Sequence, residues 1–242
     1  TPYWNVTATF RKDGEFLGGH AGNPFWKEDE ATEVFGKVND ARQGTVTSYK
    51  LETKEEYPIP PFNTTMFLAE ANKLGIGASL AMKIAEDLYT SGFISYPRTD
   101  NTVYPRSLSL KFILEKLKES DLREEAEELL KQSQIRASRG KIETTDHPPI
   151  YPTEPATKKQ LKGDKWVVYE LIARRFLATV APPARSETKD VVIEVEKEPF
   201  NVKGYRVIDP GWRKYYPYIR IGEALVPDMM IGDAVEVRNC NI

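Results

Sequence analysis

At 242 residues, with 40% hydrophobic and 29% charged content, the chain is long enough for one large domain or two ordinary ones and apolar enough to build a core without disulfides. Its 34 Lys and Arg stand against 36 Asp and Glu, and the net charge of -2 excludes strong nonspecific affinity for polyanions, leaving any such contact to local clusters. Cys240 is the single cysteine, no apolar run reaches membrane length and Thr1-Pro2-Tyr3-Trp4 does not open a signal peptide, so the expectation is a soluble protein of the reducing cytoplasm with no internal disulfide, cysteine-rich zinc site or membrane partner.

The first section reads as β-rich. Trp4, Val6, Ala8 and Phe10 alternate with Asn5, Thr7 and Thr9, and Asp13-Gly14 marks a turn toward Phe16-Leu17, which predicts a half-buried hairpin. His20 follows in Gly18-Gly19-His20-Ala21-Gly22. That run lacks the Gly-Lys-Ser/Thr ending of a nucleotide-binding loop and is read as a mobile loop. A short helix is predicted over residues 29–38 and a strand over 45–53, before Pro58, Pro60 and Pro61 form a boundary.

The middle section is helical. Asn63 or Thr64 can cap a helix bearing Phe67, Ala71 and Leu74, and Gly75 and Gly77 break it. Leu80, Ile84 and Leu88 recur beside Ala81 and Ala85, predicting an amphipathic helix over 79–91 that ends at Gly92. Phe93-Ile94-Ser95-Tyr96 then has the composition of a short strand stopped by Pro97. Further helices are predicted at 106–119 and 122–134, with the acidic run 115–128 as a solvated face, followed by a loop through Ser138-Arg139-Gly140 to His147. Trp166, Tyr169, Ile172 and Phe176 form the apolar face of another helix. After Pro182-Pro183 strands return, with candidates at 191–196, 205–207, 218–221 and 234–237.

The chemistry concentrates in Ser95-Tyr96-Pro97-Arg98-Thr99-Asp100. Proline biases Tyr96 toward extended geometry, so that the phenol and the Arg98 guanidinium can project to one side and meet one phosphate. Free tyrosine ionises near pH 10 and is a weak nucleophile at neutrality, so attack on a phosphodiester needs a cation, and the planar fork of arginine suits phosphate oxygens. Asp100 can orient Arg98, hold the phenol proton, or cap the turn with Thr99. Spacing alone also fits a core-packed tyrosine beside a solvated ion pair.

The six residues closely resemble the active-site motif of type IA DNA topoisomerases. The resemblance extends to Pro60-Pro61-Phe62-Asn63-Thr64-Thr65, to His147-Pro148-Pro149-Ile150-Tyr151-Pro152-Thr153, to Tyr169-Glu170-Leu171-Ile172-Ala173-Arg174-Arg175-Phe176 and to Gly211-Trp212, and its wording is closest to archaeal members. Pro148-Pro149 stand where many relatives carry Glu-Ala, so the resemblance carries over no role from that glutamate. It implies an α+β fold in which a helical, winged-helix-like tyrosine domain (58–181) is inserted into a β-rich gate domain (1–57 and 182–242), part of a toroid.

It further implies Tyr96 as nucleophile, with Arg98, His147 and Asp100 in the catalytic set. His147, in a proline-stiffened loop, can bond a phosphate oxygen, position the tyrosine or shuttle a proton, since imidazole titrates near neutrality. Arg98 and Thr99 are expected to contact DNA. Of Arg174 and Arg175, Arg174 is the expected DNA contact, the alternative being an exposed pair flanking a packed helix. The implied cofactor is magnesium, bound through a Toprim domain whose Asp-x-Asp-x-Glu cluster is not found here, so none is expected on this fragment. The implied partners are a single-stranded region of negatively supercoiled DNA and the missing domains of the same polypeptide, in a nucleoid-associated, cytoplasmic setting. A tyrosine recombinase would place its tyrosine near the C-terminus, whereas a noncatalytic DNA-binding module, a decatenating relative and the topoisomerase half of a reverse gyrase stay open.

Overall fold

Alternation in the first section becomes β1 (Thr7–Arg11) and β2 (Glu15–His20), joined at Asp13 and Gly14, which both take positive φ, in the computed structural model, which describes residues 1–242. Ala8 and Phe10 point inward, and α1 (Glu28–Val38) contributes Ala31, Val34 and Val38 to the same core. With β3 (Gln43–Glu56), β4 (Ala184–Val195), β5 (Glu198–Asp209) and β6 (Ala234–Asn241) the strands close into a barrel in the order β1-β2-β5-β4-β3-β6. Ala8 opposite Cys240 and Thr7 opposite Asn241 tie the first strand to the last. This β unit comprises Thr1–Glu55, Arg185–Asp209 and Ile221–Ile242.

The glycine-rich run around His20 is not a mobile loop. Gly18, Gly19 and His20 lie within β2, and the His20 ring is buried against Phe25. Gly22 N–H donates to His20 Nδ1 at 3.0 Å, which leaves Nε2 to carry the proton toward Glu198 Oε2, also at 3.0 Å.

The helical unit comprises Glu56–Ala184 and Pro210–Arg220. Its helices are α2 (Thr64–Lys73), α3 (Ala78–Thr90), α4 (Leu110–Leu117), α5 (Arg123–Leu130) and α6 (Asp164–Val180). Asn63 caps α2 by accepting from Met66 N–H, and Gly92, at φ +83°, ends the α3 turn where a side chain would be strained. The expected face of α6 is buried, and so are Val168, Leu171, Ala173 and Leu177, so this helix is the unit's central post. No helix is long and apolar enough to cross a membrane.

Several expected elements contract. The helix read over 106–119 begins only at Leu110, because Ser109 accepts from Phe112 N–H and sets the cap there. The one read over 122–134 ends at Leu130, where the Gln132 side chain donates to the carbonyls of Leu129 and Val180. The 93–96 strand reduces to an isolated bridge of Ile94 with Pro152, since Pro97, Pro149 and Pro152 supply no N–H to extend a ladder. No strand forms over 218–221: Tyr218 instead packs edge-on against Tyr216, 4.9 Å away, beside the helical core.

The boundaries 1–57, 58–181 and 182–242 shift for the same reason. Gly211–Lys214 forms a 3-10 turn in the helical unit rather than in the β unit, and Trp212 is buried with its indole N–H on the Glu56 carbonyl at 2.9 Å. Arg213 pairs with the Glu56 carboxylate.

Candidate active site

All the residues that surround Tyr96 belong to the helical unit. The chain leaving α3 turns at Gly92 and runs antiparallel to 150–153, with Ser95 N–H on the Tyr151 carbonyl at 2.9 Å and Tyr151 N–H on Ser95 Oγ at 3.0 Å. This leaves Tyr96 half-buried between two rings. Tyr89 of α3 meets it edge-on at 5.2 Å, and His147 lies on the other loop with ring centroids 4.6 Å apart.

The turn after Tyr96 is held by the first residue of α2. Thr64 Oγ accepts from Thr99 N–H at 2.8 Å and shares its own hydrogen between the carbonyls of Pro97, at 2.8 Å, and Thr99, at 3.1 Å. Thr64 N–H donates to the Thr99 carbonyl at 2.9 Å. The backbone on both sides of Arg98 is therefore fixed to one helix end.

The histidine loop is tied to the same motif. Thr99 Oγ and Asn101 Nδ2 both donate to the His147 carbonyl at 3.1 Å, and Asn101 Nδ2 also reaches the Thr144 carbonyl at 2.9 Å. Thr99 and Asn101 are buried, whereas the imidazole they position is exposed. It borders a cleft of about 460 Å³ that it shares with Asn101 and Arg106.

Arg98 extends into solvent and donates from Nε and Nη2 to one oxygen of Glu86, at 3.0 and 2.5 Å. The carboxylate that orients it is thus Glu86 of α3, not Asp100, whose side chain is exposed and makes no bond to Arg98 or Tyr96. With both partners about half exposed, the pair is worth little, about 0–1 kcal/mol, and a phosphate can take the place of Glu86.

Tyr96, Thr99 and His147 thus come together, and Arg98 stands on the same turn with its guanidinium on Glu86. Arg174 is bonded elsewhere, to Glu170 at 2.8 Å, to Glu125 at 3.3 Å and to the Tyr215 carbonyl. Neither it nor Arg175 is part of an exposed pair. Arg175 is buried, donates to the Pro60 carbonyl at 2.7 Å and lies 4.3 Å over the Phe62 ring, and its burial pulls the guanidinium below its ordinary pKa.

Glu86, Tyr89 and Asn101 escape the sequence reading, which shows Thr64 only as a candidate helix cap in a family-like segment. Glu86 and Tyr89 stand three apart on the polar side of α3, and an aromatic there was the available signal. Asn101 directly follows the motif, but nothing local shows that its amide faces a loop 46 residues away.

No three His, Cys, Asp or Glu side chains converge in this chain into a site that could hold a metal ion by protein ligands alone. The groups gathered here are a phenol, an exposed imidazole and a guanidinium.

Residues 1–242 match the family described as DNA topoisomerase. The chain is 40% identical to DNA topoisomerase 1 of Thermoplasma acidophilum over 99% of its own length, and 41% identical to that of Archaeoglobus fulgidus over 92%. A DNA topoisomerase 3 of Caenorhabditis elegans is 30% identical over 96%. These alignments take in 31%, 33% and 31% of the respective relatives, so the chain spans about a third of their length. Full-length topoisomerase I from Thermotoga maritima superposes over 99% of this chain and 40% of its own, with a TM-score of 0.73 at 23% identity, which establishes a shared mixed helix and sheet fold. On the whole-chain family match, this polypeptide belongs to the type IA DNA topoisomerases.

Proposed function

We propose that this chain carries the strand-cleaving half of a DNA topoisomerase and that Tyr96 is its nucleophile. The observation that carries this is the Tyr96 ring, set 4.6 Å from His147 within a motif whose backbone is clamped by Thr64 and Thr99. In this reading Tyr96 Oη loses its proton and attacks the scissile phosphorus. The P–O3′ bond breaks, O3′ takes a proton, and the 5′-phosphate remains on the tyrosine. Attack by the same 3′-hydroxyl reverses every bond change, so resealing needs no nucleotide hydrolysis.

Arg98 exchanges Glu86 for a non-bridging phosphate oxygen, and His147, exposed at the cleft, bonds the phosphate or relays the proton. Asp100 stays within reach of a bound strand as a backbone neighbour, and Thr99 shapes the turn that receives it. The helical unit then acts as a winged-helix-like insert, with the bridged segments around Ile94 and Pro152 in the place of a wing. The β unit serves as part of a gate in a toroidal parent.

The parent acts in the cytoplasm, on single-stranded regions of negatively supercoiled DNA, and supplies magnesium from a part outside this chain. The 242 residues by themselves do not relax supercoils.

The test uses a parent-length protein and a single-stranded oligonucleotide labelled at its 3′ end, resolved under denaturing conditions. A labelled covalent adduct that disappears in Tyr96→Phe is expected. An adduct formed by Tyr96→Phe, or none formed by the unaltered protein, overturns the assignment.

A further inference from the structure

A second cleft in the helical unit, of about 860 Å³, is bordered by Arg106, Lys111, Arg136 and Arg139, with no carboxylate among its lining residues. All four cations are exposed. Arg139 is paired with Glu143 at 2.8 Å, whereas Arg106, Lys111 and Arg136 have no acidic partner. In a chain with a net charge of -2, three unpaired cations around one concavity are a local excess that composition does not explain.

This cleft is continuous with the site. Pro105 and Arg106 also line the cleft that borders His147, so the concave surface runs from the histidine past Arg106 to Arg136. Of the carboxylates on the way, Glu143 is paired with Arg139, whereas Asp146 accepts from Thr144 Oγ at 2.5 Å and keeps its charge.

The basic loop is rigidly presented. Ser138 is bonded through its N–H to the Thr179 carbonyl at 2.8 Å and through Oγ to the Ile59 carbonyl at 2.6 Å. Gly140 N–H donates to the Thr102 carbonyl at 2.8 Å, and a side chain at Gly140 would meet Thr102 Oγ at 2.1 Å. The loop is therefore strapped to the segment that continues the tyrosine motif.

We infer that Arg106, Lys111 and Arg136 form a phosphate-binding track for a single DNA strand, which holds the backbone of the nucleotides beyond the one at Tyr96. The choice of DNA as ligand rests on the reading of Tyr96 given above. The track itself recognises repeating phosphodiesters, because unpaired guanidinium and ammonium groups along a cleft read charge spacing and not base identity. It gives the broken end a second hold besides the covalent one.

The experiment measures equilibrium binding of a fluorescent oligothymidylate to the purified 242-residue chain over a salt series. Lys111→Gln/Arg136→Gln is compared with Arg123→Gln/Lys131→Gln, which removes the same charge from α5 and its C-terminal cap, away from both clefts. All four side chains are exposed, so folding is retained. The cleft variant is expected to bind roughly tenfold more weakly at low salt, with a slope of log affinity against log salt shallower by about 1.4, the value for two lost single-strand contacts. The α5 variant keeps the slope. Equal slopes for the cleft variant and the unaltered chain, an equal loss in the α5 variant, or no salt-dependent binding at all overturns the track. Failure of the nucleophile assignment is read separately, from covalent capture by the parent-length protein, because the salt slope registers phosphate contacts alone.

Discussion

The Thr64 hydroxyl and the Thr99 N–H lie 2.8 Å apart, so the first turn of α2 and the turn that carries Arg98 form one hydrogen-bonded unit. Thr64→Val keeps shape and removes the acceptor and the donor together. The buried Thr99 N–H loses a partner, which is expected to cost about 1–3 kcal/mol in denaturant unfolding. Covalent capture by the parent is expected to fall well beyond that loss, and Thr64→Ser, which keeps the hydroxyl, is expected to restore most of it. Unaltered capture by Thr64→Val would show that the clamp does not position the site.

Asn101 separates the placement of His147 from its chemistry. Asn101→Asp keeps the acceptor for Val103 N–H at 2.9 Å but loses the amide donors to the carbonyls of Thr144 and His147. Cleavage is expected to drop with little change in DNA affinity, and to drop no further when His147→Ala is added. Additive losses in that double-mutant cycle would mean that Asn101 acts on something other than the histidine.

The two arginines of α6 are expected to behave oppositely to their neighbourly spacing. Arg175→Ala removes a buried group from the Pro60 carbonyl and the Phe62 face, at a cost of about 2–4 kcal/mol by thermal or chemical unfolding. Arg174→Ala is expected to cost about 1 kcal/mol, since its partners Glu170 and Glu125 keep access to water. Equal losses would contradict the packing described.

Much of the fold was legible because it is local. Alternation around Val6 to Phe10 and the cap at Asn63 are written in neighbouring residues, and so is the end of α3 at Gly92. What failed depended on distant partners: residues 210–220 join the helical unit because Trp212 finds Glu56, 156 residues away. The run around His20 reads locally as a loop because the partner of His20, Glu198, is 178 residues distant. In the site, the motif announced Tyr96 and Arg98, and the resemblance pointed to His147. Nothing near Arg98 in sequence showed that Glu86, one helix back, would take the position expected of Asp100.

Acid sensitivity of the barrel is expected to pass through Glu198. Burial pushes its carboxyl up, but bonds from Lys37 and His20 outweigh that and hold it below the ordinary value of 4.5. A carboxyl depressed in the folded state contributes stability above its unfolded pKa and loses it as pH falls through the folded one. The unaltered chain should therefore lose stability on acidification below about pH 4.5 more steeply than Glu198→Gln, in urea unfolding at stepped pH. Parallel curves would remove Glu198 from the account.

Closure of the barrel also sets an order of assembly. β1 and β2 emerge well before their outer partners, β6 and β5, with Thr7 separated from its partner Asn241 by most of these 242 residues. At ribosomal speeds that interval is on the order of tens of seconds, during which an early hairpin has two unsatisfied edges. All the helices of the helical unit are complete before β6 appears. The scaffold around Tyr96 is thus largely in place while β1 and β2 still present unpaired edges.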